Sequence, residues 1–169
     1  QDIIYGTAEK EKLRERIDNL QLRILPEKAV VLMVEIDDYT KLLSEFSKLE
    51  METRIFKLID ILKGISEEYT MEIVRTDDAR FAIILSFDKG LRDEEAVYSS
   101  KQIAQHLIKR IKDEVKISIT AGMGILVSDI DELHNSYNIG CKALMLKIYE
   151  GKGKVLSYEH ESEAQSVAI

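Results

Sequence analysis

The sequence predicts an α+β domain: a ferredoxin-like βαββαβ core, with one helix before it and an αβ unit after it. Three observations lead to this prediction. Residues 29–36 form an almost continuous apolar run rich in β-branched side chains, typical of a strand covered on both faces. Two β-prone segments separated only by the polar stretch 76–79 indicate a hairpin. Long amphipathic segments alternate with these strands, as helices do in such a core.

The first helix is predicted over residues 7–25, ahead of Pro26, which cannot continue a helix. Its apolar residues alternate in spacing between four and three, the pattern of a coiled-coil seam. They are Leu13, Ile17, Leu20 and Ile24. The seam predicts dimerisation through this helix. An amphipathic helix packed on its own domain would carry the same stripe, and the pattern does not choose between them.

A long helix is predicted after the strand over 29–36. Asp37 and Asp38 precede it and are typical N-cap residues. Its apolar stripe covers 42–62, and Gly64 predicts its end. The expected unit is therefore a buried strand followed by one helix.

The middle of the chain predicts the hairpin and a second helix. Strands are expected over 69–75 and 80–87, around an acidic turn. An apolar face over 96–111 predicts a helix that ends near Lys112, a favourable cation for a helix C-terminus. A strand is then predicted over 115–126, where Gly122 and Gly124 permit close approach of another backbone.

The last predicted elements form the αβ unit. A helix is predicted to begin at Asp131, because apolar residues recur every three or four positions as far as Ile148. The glycine-containing segment 151–153 is expected to end it. A short strand is predicted over 154–158.

These elements divide the chain into three parts. Residues 1–28 are predicted to form a linker or signalling helix, residues 29–159 the folded domain, and residues 160–169 a C-terminal linker. Because the chain starts at Gln1 and with a helix, we expect it to be a piece of a longer protein.

Composition excludes several classes of protein. The 169 residues suit one domain, and a net charge of -7 with a pI near 5.1 disfavours direct binding to nucleic acid. Cys141 is the single cysteine, so an internal disulfide is excluded, and the three histidines lack metal-ligand spacing. No apolar run reaches the length of about 18–20 residues that crosses a bilayer, so no contact with membranes is expected. The single cysteine indicates a reducing compartment and therefore predicts a cytoplasmic location. The N-terminus also lacks the charged-then-apolar pattern of a secretory signal.

Four carboxylates are candidates for a binding site. Glu35 and Asp37 end the first strand, while Asp77 and Asp78 lie at the hairpin tip, which this topology places beside that strand end. Carboxylates together with phosphate oxygens are typical ligands of Mg²⁺. The alternative is that Asp37 and Asp38 cap a helix while Asp77 and Asp78 shape a turn, with no ligand at all.

Several motifs resemble, in order, the signature regions of GGDEF domains. They are Val-Glu-Ile-Asp-Asp-Tyr at 34–39, Val-Arg-Thr-Asp-Asp-Ala-Arg-Phe-Ala-Ile-Ile-Leu at 74–85, Gly-Met-Gly-Ile at 122–125, Ala-Leu at 143–144 and Gly-Lys-Gly-Lys-Val at 151–155. The likeness covers about residues 30–158 and implies the fold that GGDEF domains share with nucleotidyl cyclases. The chain is similar above all to degenerate GGDEF-like domains. These lie between the receiver and the DNA-binding domain of bacterial AraC-family response regulators.

The resemblance also implies which catalytic features are lost. Laid on Phe81, the motif places its two glycines at Asp77 and Asp78 and its two acidic positions at Ala79 and Arg80, so the glycines and the metal ligand of the loop are lost together. Glu35 occupies the position of the family's metal-binding aspartate on the first strand, and Asp37 keeps the second acidic position. The guanine-reading asparagine corresponds to Leu43, and the phosphate-binding lysine to Ile148, although Lys152 keeps a cation just beyond it.

The function implied is therefore regulatory rather than enzymatic. We expect a relic nucleotide and metal site at Glu35, Asp37, Asp77, Asp78 and Lys152, with no catalytic residue, no bound metal and no cofactor. Expected partners are a second copy of the chain and the covalently linked receiver and DNA-binding domains. The alternative is a divergent nucleotidyl cyclase, or a nucleotide-binding domain, that uses Mg²⁺.

Two arginines flank the acidic turn. Arg75 and Arg80 are expected to neutralise the carboxylates of Asp77 and Asp78, which would make the turn a structural salt-bridge cluster. Exposed pairs of this kind contribute only about 0–1 kcal/mol each.

Overall fold

A mixed five-stranded sheet forms the centre of the structure, a computed structural model that describes residues 27–158. Its strands are β1 (Lys28–Ile36), β2 (Met71–Arg75), β3 (Arg80–Phe87), β4 (Ile119–Met123) and β5 (Val155–Ser157). The helices are α1 (Tyr39–Glu45), α2 (Lys48–Glu68), α3 (Asp93–Val115), α4 (Leu133–Met145) and α5 (Lys147–Glu150), with a 3₁₀ turn at Ile130–Glu132. The predicted first helix, with Leu13, Ile17, Leu20 and Ile24, and the predicted linker 160–169 lie outside the described residues.

The strand order across the sheet is β2-β3-β1-β4-β5. Strand β1 pairs antiparallel with both β3 and β4, β2 pairs antiparallel with β3, and β5 adds to β4 in parallel. The first four strands have the order of a ferredoxin-like sheet, and the last helices and β5 form the added αβ unit. The predicted α+β fold class is confirmed.

Strand β1 is buried on both faces, as its apolar run predicts. Side chains such as Leu32 and Val34 face a core completed by α2 and α3, and Val31 and Met33 face the α4 side. The β1 side chains therefore alternate between two cores, with period two along the strand.

Helix α4 lies unusually close to the sheet. Ser136 on α4 accepts a hydrogen bond from the backbone N–H of Val31 at 2.9 Å and donates one to the carbonyl oxygen of Ile125 at 2.7 Å. A side chain at Gly122 would overlap backbone atoms of α4, so the expected close approach occurs there.

Two predictions for the helix that follows β1 are wrong. Gly64 does not end the helix, because α2 continues to Glu68 and buries Ile65 in the core. The segment after β1 also forms two helices rather than one. Ser47 begins α2 with a capping box, in which its side chain accepts from the Glu50 backbone N–H and the Glu50 side chain accepts from the Ser47 N–H.

Strand β4 is shorter than the predicted 115–126. Helix α3 continues past Lys112 to Val115, which is buried, and Lys116 ends it in the left-handed conformation with φ of 61°. At the other end, the N–H of Gly124 still bonds to the carbonyl of Val31 at 2.8 Å, beyond the last paired strand residue. Within 27–158, no helix has both the length and the apolar character needed to span a membrane.

Candidate functional site

The C-terminal end of β1 carries the acidic residues that the sequence singles out. In the strand register, Glu35 lies opposite Arg80 of β3 on one side and opposite Thr120 of β4 on the other. Side chains directly opposite each other in antiparallel strands are in contact range. Sheet pairing alone thus places Arg80 and Thr120 on either side of Glu35.

Glu35 contacts two cations at once. Its Oε2 accepts a hydrogen bond from Nε of Arg80 at 2.5 Å, and its Oε1 forms an ion pair with Nζ of Lys147 from α5. The side chains of Glu35 and Lys147 are 13% and 20% exposed. Burial lowers the pKa of Lys147, and the nearby positive charge of Lys152 lowers it further. Both oxygens of Glu35 are therefore engaged by the protein's own cations.

Asp37 is almost completely buried, at 3% exposure. Its Oδ2 accepts a hydrogen bond from Ser118 and its Oδ1 accepts one from Thr120, each at 2.6 Å. Thr120 in turn accepts from the backbone N–H of Gly153 at 2.9 Å. This carboxylate therefore ties the end of β1 to β4 and to the loop before β5. Its predicted role as a helix cap is wrong.

Asp38 occupies the N-cap position of α1 in a left-handed conformation, with φ of 53° and no capping hydrogen bond from its side chain. Its carboxylate instead forms an exposed ion pair with Lys152. The hydrogen bond from Lys152 lowers the pKa of Asp38, and the same bond raises the pKa of Lys152. Lys152, the cation that the resemblance places near a phosphate, is therefore already paired with Asp38.

The acidic turn is held by backbone contacts. Nε of Arg75 donates to the carbonyl of Asp77 at 3.3 Å, and Nη2 donates to the carbonyl of Asp78 at 2.8 Å. Oδ1 of Asp77 accepts from the backbone N–H of Ala79 at 2.9 Å, as expected for a turn. The prediction that Arg75 and Arg80 neutralise the turn's carboxylates is wrong, because Arg75 binds the carbonyls and Arg80 binds Glu35.

Three of the four candidate carboxylates have separate partners within the protein. Glu35 is bound by Arg80 and Lys147, Asp37 by two hydroxyls, and Asp77 by a backbone amide of its own turn. Over the described range 27–158, no group of three or more His, Cys, Asp or Glu side chains is arranged to hold a metal ion. Glu35 has a cation on each carboxylate oxygen and so offers no free donor to Mg²⁺, which binds through carboxylate and other oxygen ligands.

Lys147, Ser118 and Thr120 are site residues that sequence reasoning missed. Lys147 directly precedes Ile148, the position compared with a phosphate-binding lysine, yet it turns inward while Ile148 is 77% exposed. The only sequence signal for Thr120 is that a polar residue stands inside an apolar strand. In a buried strand, such a residue needs a hydrogen-bond partner.

Comparisons with known proteins agree with this architecture. The family model described as "GGDEF-like domain" matches residues 5–146. No curated protein sequence is significantly similar to the chain.

Solved structures resemble the fold at low sequence identity. The active GGEEF domain of a diguanylate cyclase from Vibrio cholerae is 16% identical, with a TM-score of 0.61 over 87% of this chain and 90% of that one. The GGDEF domain of DgcB from Caulobacter crescentus, solved with c-di-GMP, is 10% identical, with a TM-score of 0.63 over 87% and 84%. The catalytic core of a rhodopsin-guanylyl cyclase is 16% identical, with a TM-score of 0.54 over 77% and 76%.

Proposed function

The chain belongs to the family of GGDEF-like domains, and we propose that it is a non-catalytic signal-relay domain of a bacterial transcriptional regulator. The regulator we propose is of the AraC family and of the response-regulator type. In it, this domain would sit between a receiver domain and a DNA-binding domain, in the cytoplasm. Its role would be to transmit a signal through protein–protein contacts.

The observation that carries the proposal is the pairing of Glu35 with Arg80 and Lys147. A divalent cation at Glu35 would have to displace a guanidinium and an ammonium, both already hydrogen-bonded or ion-paired. Removing one partner of such a partly buried pair is unfavourable because it leaves a charge without a counterion. The two side chains supply the positive charge that a metal ion would otherwise bring.

The surroundings of this pair also disfavour a nucleotide. Asp77 and Asp78 stand where the resemblance implies glycines, and they place two negative charges at the turn that a triphosphate would approach. Like charges brought together at a binding surface oppose association. Leu43 and Ile148 are exposed apolar side chains at positions for which the resemblance implies polar ligand contacts.

The experiment that tests the proposal is a nucleotide product assay on the full chain. The chain is incubated with GTP and either Mg²⁺ or Mn²⁺, and the nucleotides are separated by chromatography. We expect GTP to remain unchanged, because the metal position is already occupied by side chains. The alternative function, a divergent nucleotidyl cyclase, predicts a cyclic product instead.

The relay would also need a second copy of the chain, for which the predicted seam in the first helix is the candidate contact. We expect the full chain to sediment as a dimer, and Ile17→Asp together with Leu20→Asp to convert it to a monomer, because charges in a coiled-coil seam are unfavourable. Asn19→Asp, at heptad position c and outside the a, d, e and g positions, is the control. A monomeric full chain, or a dimer unaffected by the double substitution, would contradict this mode of association.

A further inference from the structure

A groove of about 410 Å³ lies between α2 and the C-terminal end of α3. One face of α2 supplies five of its eight lining residues, and residues 114–116 supply the other three. None of the eight stands at a position that the resemblance to GGDEF domains assigns to a metal ion, a guanine or a phosphate. Its volume falls in the range of about 300–1,000 Å³ that small-molecule sites occupy. The groove is therefore separate from the site at the end of β1.

The negative groups of the groove already have partners within the chain. Glu114 forms an ion pair with Arg110 at 2.9 Å, and Glu50 accepts a hydrogen bond at 3.0 Å in the capping box of α2. The carbonyl oxygen of Val115 is one of the acceptors that the end of a helix leaves open. It accepts a hydrogen bond from Nη1 of Arg54 at 2.6 Å. These groups therefore leave little negative charge in the groove without a counterpart.

The positive groups differ in this respect. Among the described residues 27–158, the ammonium groups of Lys57 and Lys116 form no hydrogen bond and no ion pair, and both side chains are exposed. Together with Arg110, the lining residues carry four positive charges against two negative ones. In a chain with a net charge of -7, this is a local excess of positive charge. Unpaired ammonium groups attract carboxylate and phosphoryl oxygens.

The groove also offers an apolar surface. Leu49 lines it at 73% exposure, and Val115, which is 3% exposed, connects it to the core. An apolar group placed against Leu49 would be stabilised by removing this surface from water. The two ammonium groups and the apolar surface together suit a ligand that has an anionic group and an apolar body.

We propose that the groove binds a small organic anion with an apolar body, held by Lys57 and Lys116 through its carboxylate or phosphoryl group. A bound ligand would connect α2 to the segment that joins α3 to β4, since both supply lining residues. The inference goes beyond the proposed relay function, because it requires neither the AraC-family context nor the loss of catalysis.

The test is a two-dimensional ¹H–¹⁵N NMR titration of the full chain with benzoate, phenyl phosphate and the uncharged benzamide. We expect saturable shifts of the amide signals of 53–57 and 114–116 with at least one of the two anions, and none with benzamide at the same concentrations. The anion that binds more tightly identifies the preferred anionic group. Acetate and inorganic phosphate, which lack the ring, should bind at least about threefold more weakly than their aromatic counterparts.

Two double variants locate the site. Lys57→Gln together with Lys116→Gln should weaken binding of the preferred anion at least about fivefold, because both attractive charges are lost. Lys63→Gln together with Lys112→Gln is the matched control. It makes the same change of net charge at exposed lysines of α2 and of the last turn of α3, outside the groove. Its affinity should differ less than about twofold from that of the natural chain, because distant exposed charges are screened.

Four outcomes would overturn the inference: no saturable shift with either anion, equally tight binding of benzamide, shifts confined to other parts of the chain, or equal loss of affinity in the two double variants. A ringless ion that binds as tightly as its aromatic counterpart would contradict the apolar contact. The spectrum of each variant establishes that it is folded. Anion binding and GTP conversion are measured separately, so failure of the inference is distinguishable from failure of the proposed function.

Discussion

Gly122→Ala is expected to lower the free energy of unfolding by about 3 kcal/mol or more, at the upper end of overpacking effects. A methyl group at this position would overlap the carbonyl oxygen of Gly140 and stand 2.6 Å from the amide nitrogen of Leu144. Both atoms belong to the backbone of α4, so a change of side-chain rotamer cannot relieve the overlap. The helix would have to move away from the sheet and break the packing of the second core. Urea denaturation measures the loss.

Gly64→Ala is the matched control for this prediction. Gly64 lies inside α2, and an added Cβ would meet no atom within 4 Å. Alanine is favoured over glycine inside a helix by about 0.5–1 kcal/mol, so this variant should be more stable than the natural chain. Equal effects of the two substitutions would contradict the close packing of α4 on β4.

Thr120→Val is expected to lower the free energy of unfolding by about 3 kcal/mol. The substitution removes a hydrogen bond to the charged Asp37, and it leaves the backbone N–H of Gly153 without an acceptor. Thr120 is completely buried, donates to Asp37 at 2.6 Å and accepts from Gly153 at 2.9 Å. Valine keeps the volume and removes the hydroxyl. Ser118 still donates to Oδ2 of Asp37, but Oδ1 loses its hydrogen-bond donor.

The control is Thr53→Val on α2. The Thr53 hydroxyl donates to the carbonyl of Leu49 at 2.8 Å in an exposed position, where water replaces the lost bond. Its effect should stay within about 0.5 kcal/mol. If both threonine variants melt at the same denaturant concentration, Asp37 does not depend on Thr120.

The strongest elements of the fold are readable from the sequence because local and global preferences agree in them. The run over 29–36 is rich in β-branched residues and apolar on both faces, which is typical of a central strand in a covered sheet. The turn after Arg75 combines polar residues and an Asx contact from Asp77. Each of these signals arises within a few residues of chain.

Helix boundaries were less predictable because tertiary burial decided them. Gly64 is an unfavourable helix residue, yet one more turn buries Ile65, and that gain exceeds the cost of the glycine. The start of α2 was visible in the sequence, since Ser47 and Glu50 have the spacing of a capping box. Val115 belongs to α3 for the same reason as Ile65: it is buried against the core.

The site depended on contacts between residues far apart in the chain. Glu35 and Arg80 meet because of the register between β1 and β3, and Asp37 meets Ser118 and Thr120 more than 80 positions away. Local reasoning assigned Asp37 to a cap, the commonest role of an aspartate before a helix. Only the strand pairing shows that hydroxyls bind it instead.

Arg80 and Lys147 are proposed to take the place of a metal ion at Glu35, and the product assay with GTP tests this most directly. Mass spectrometry of the reaction with Mg²⁺ and with Mn²⁺ should detect neither a cyclic mononucleotide nor a cyclic dinucleotide. The Asp37→Asn variant, purified in parallel, identifies any contaminating enzyme. A cyclic product that requires the metal ion and disappears in the Asp37→Asn variant would contradict the account, because it would show that the acidic residues still hold a metal ion and a nucleotide.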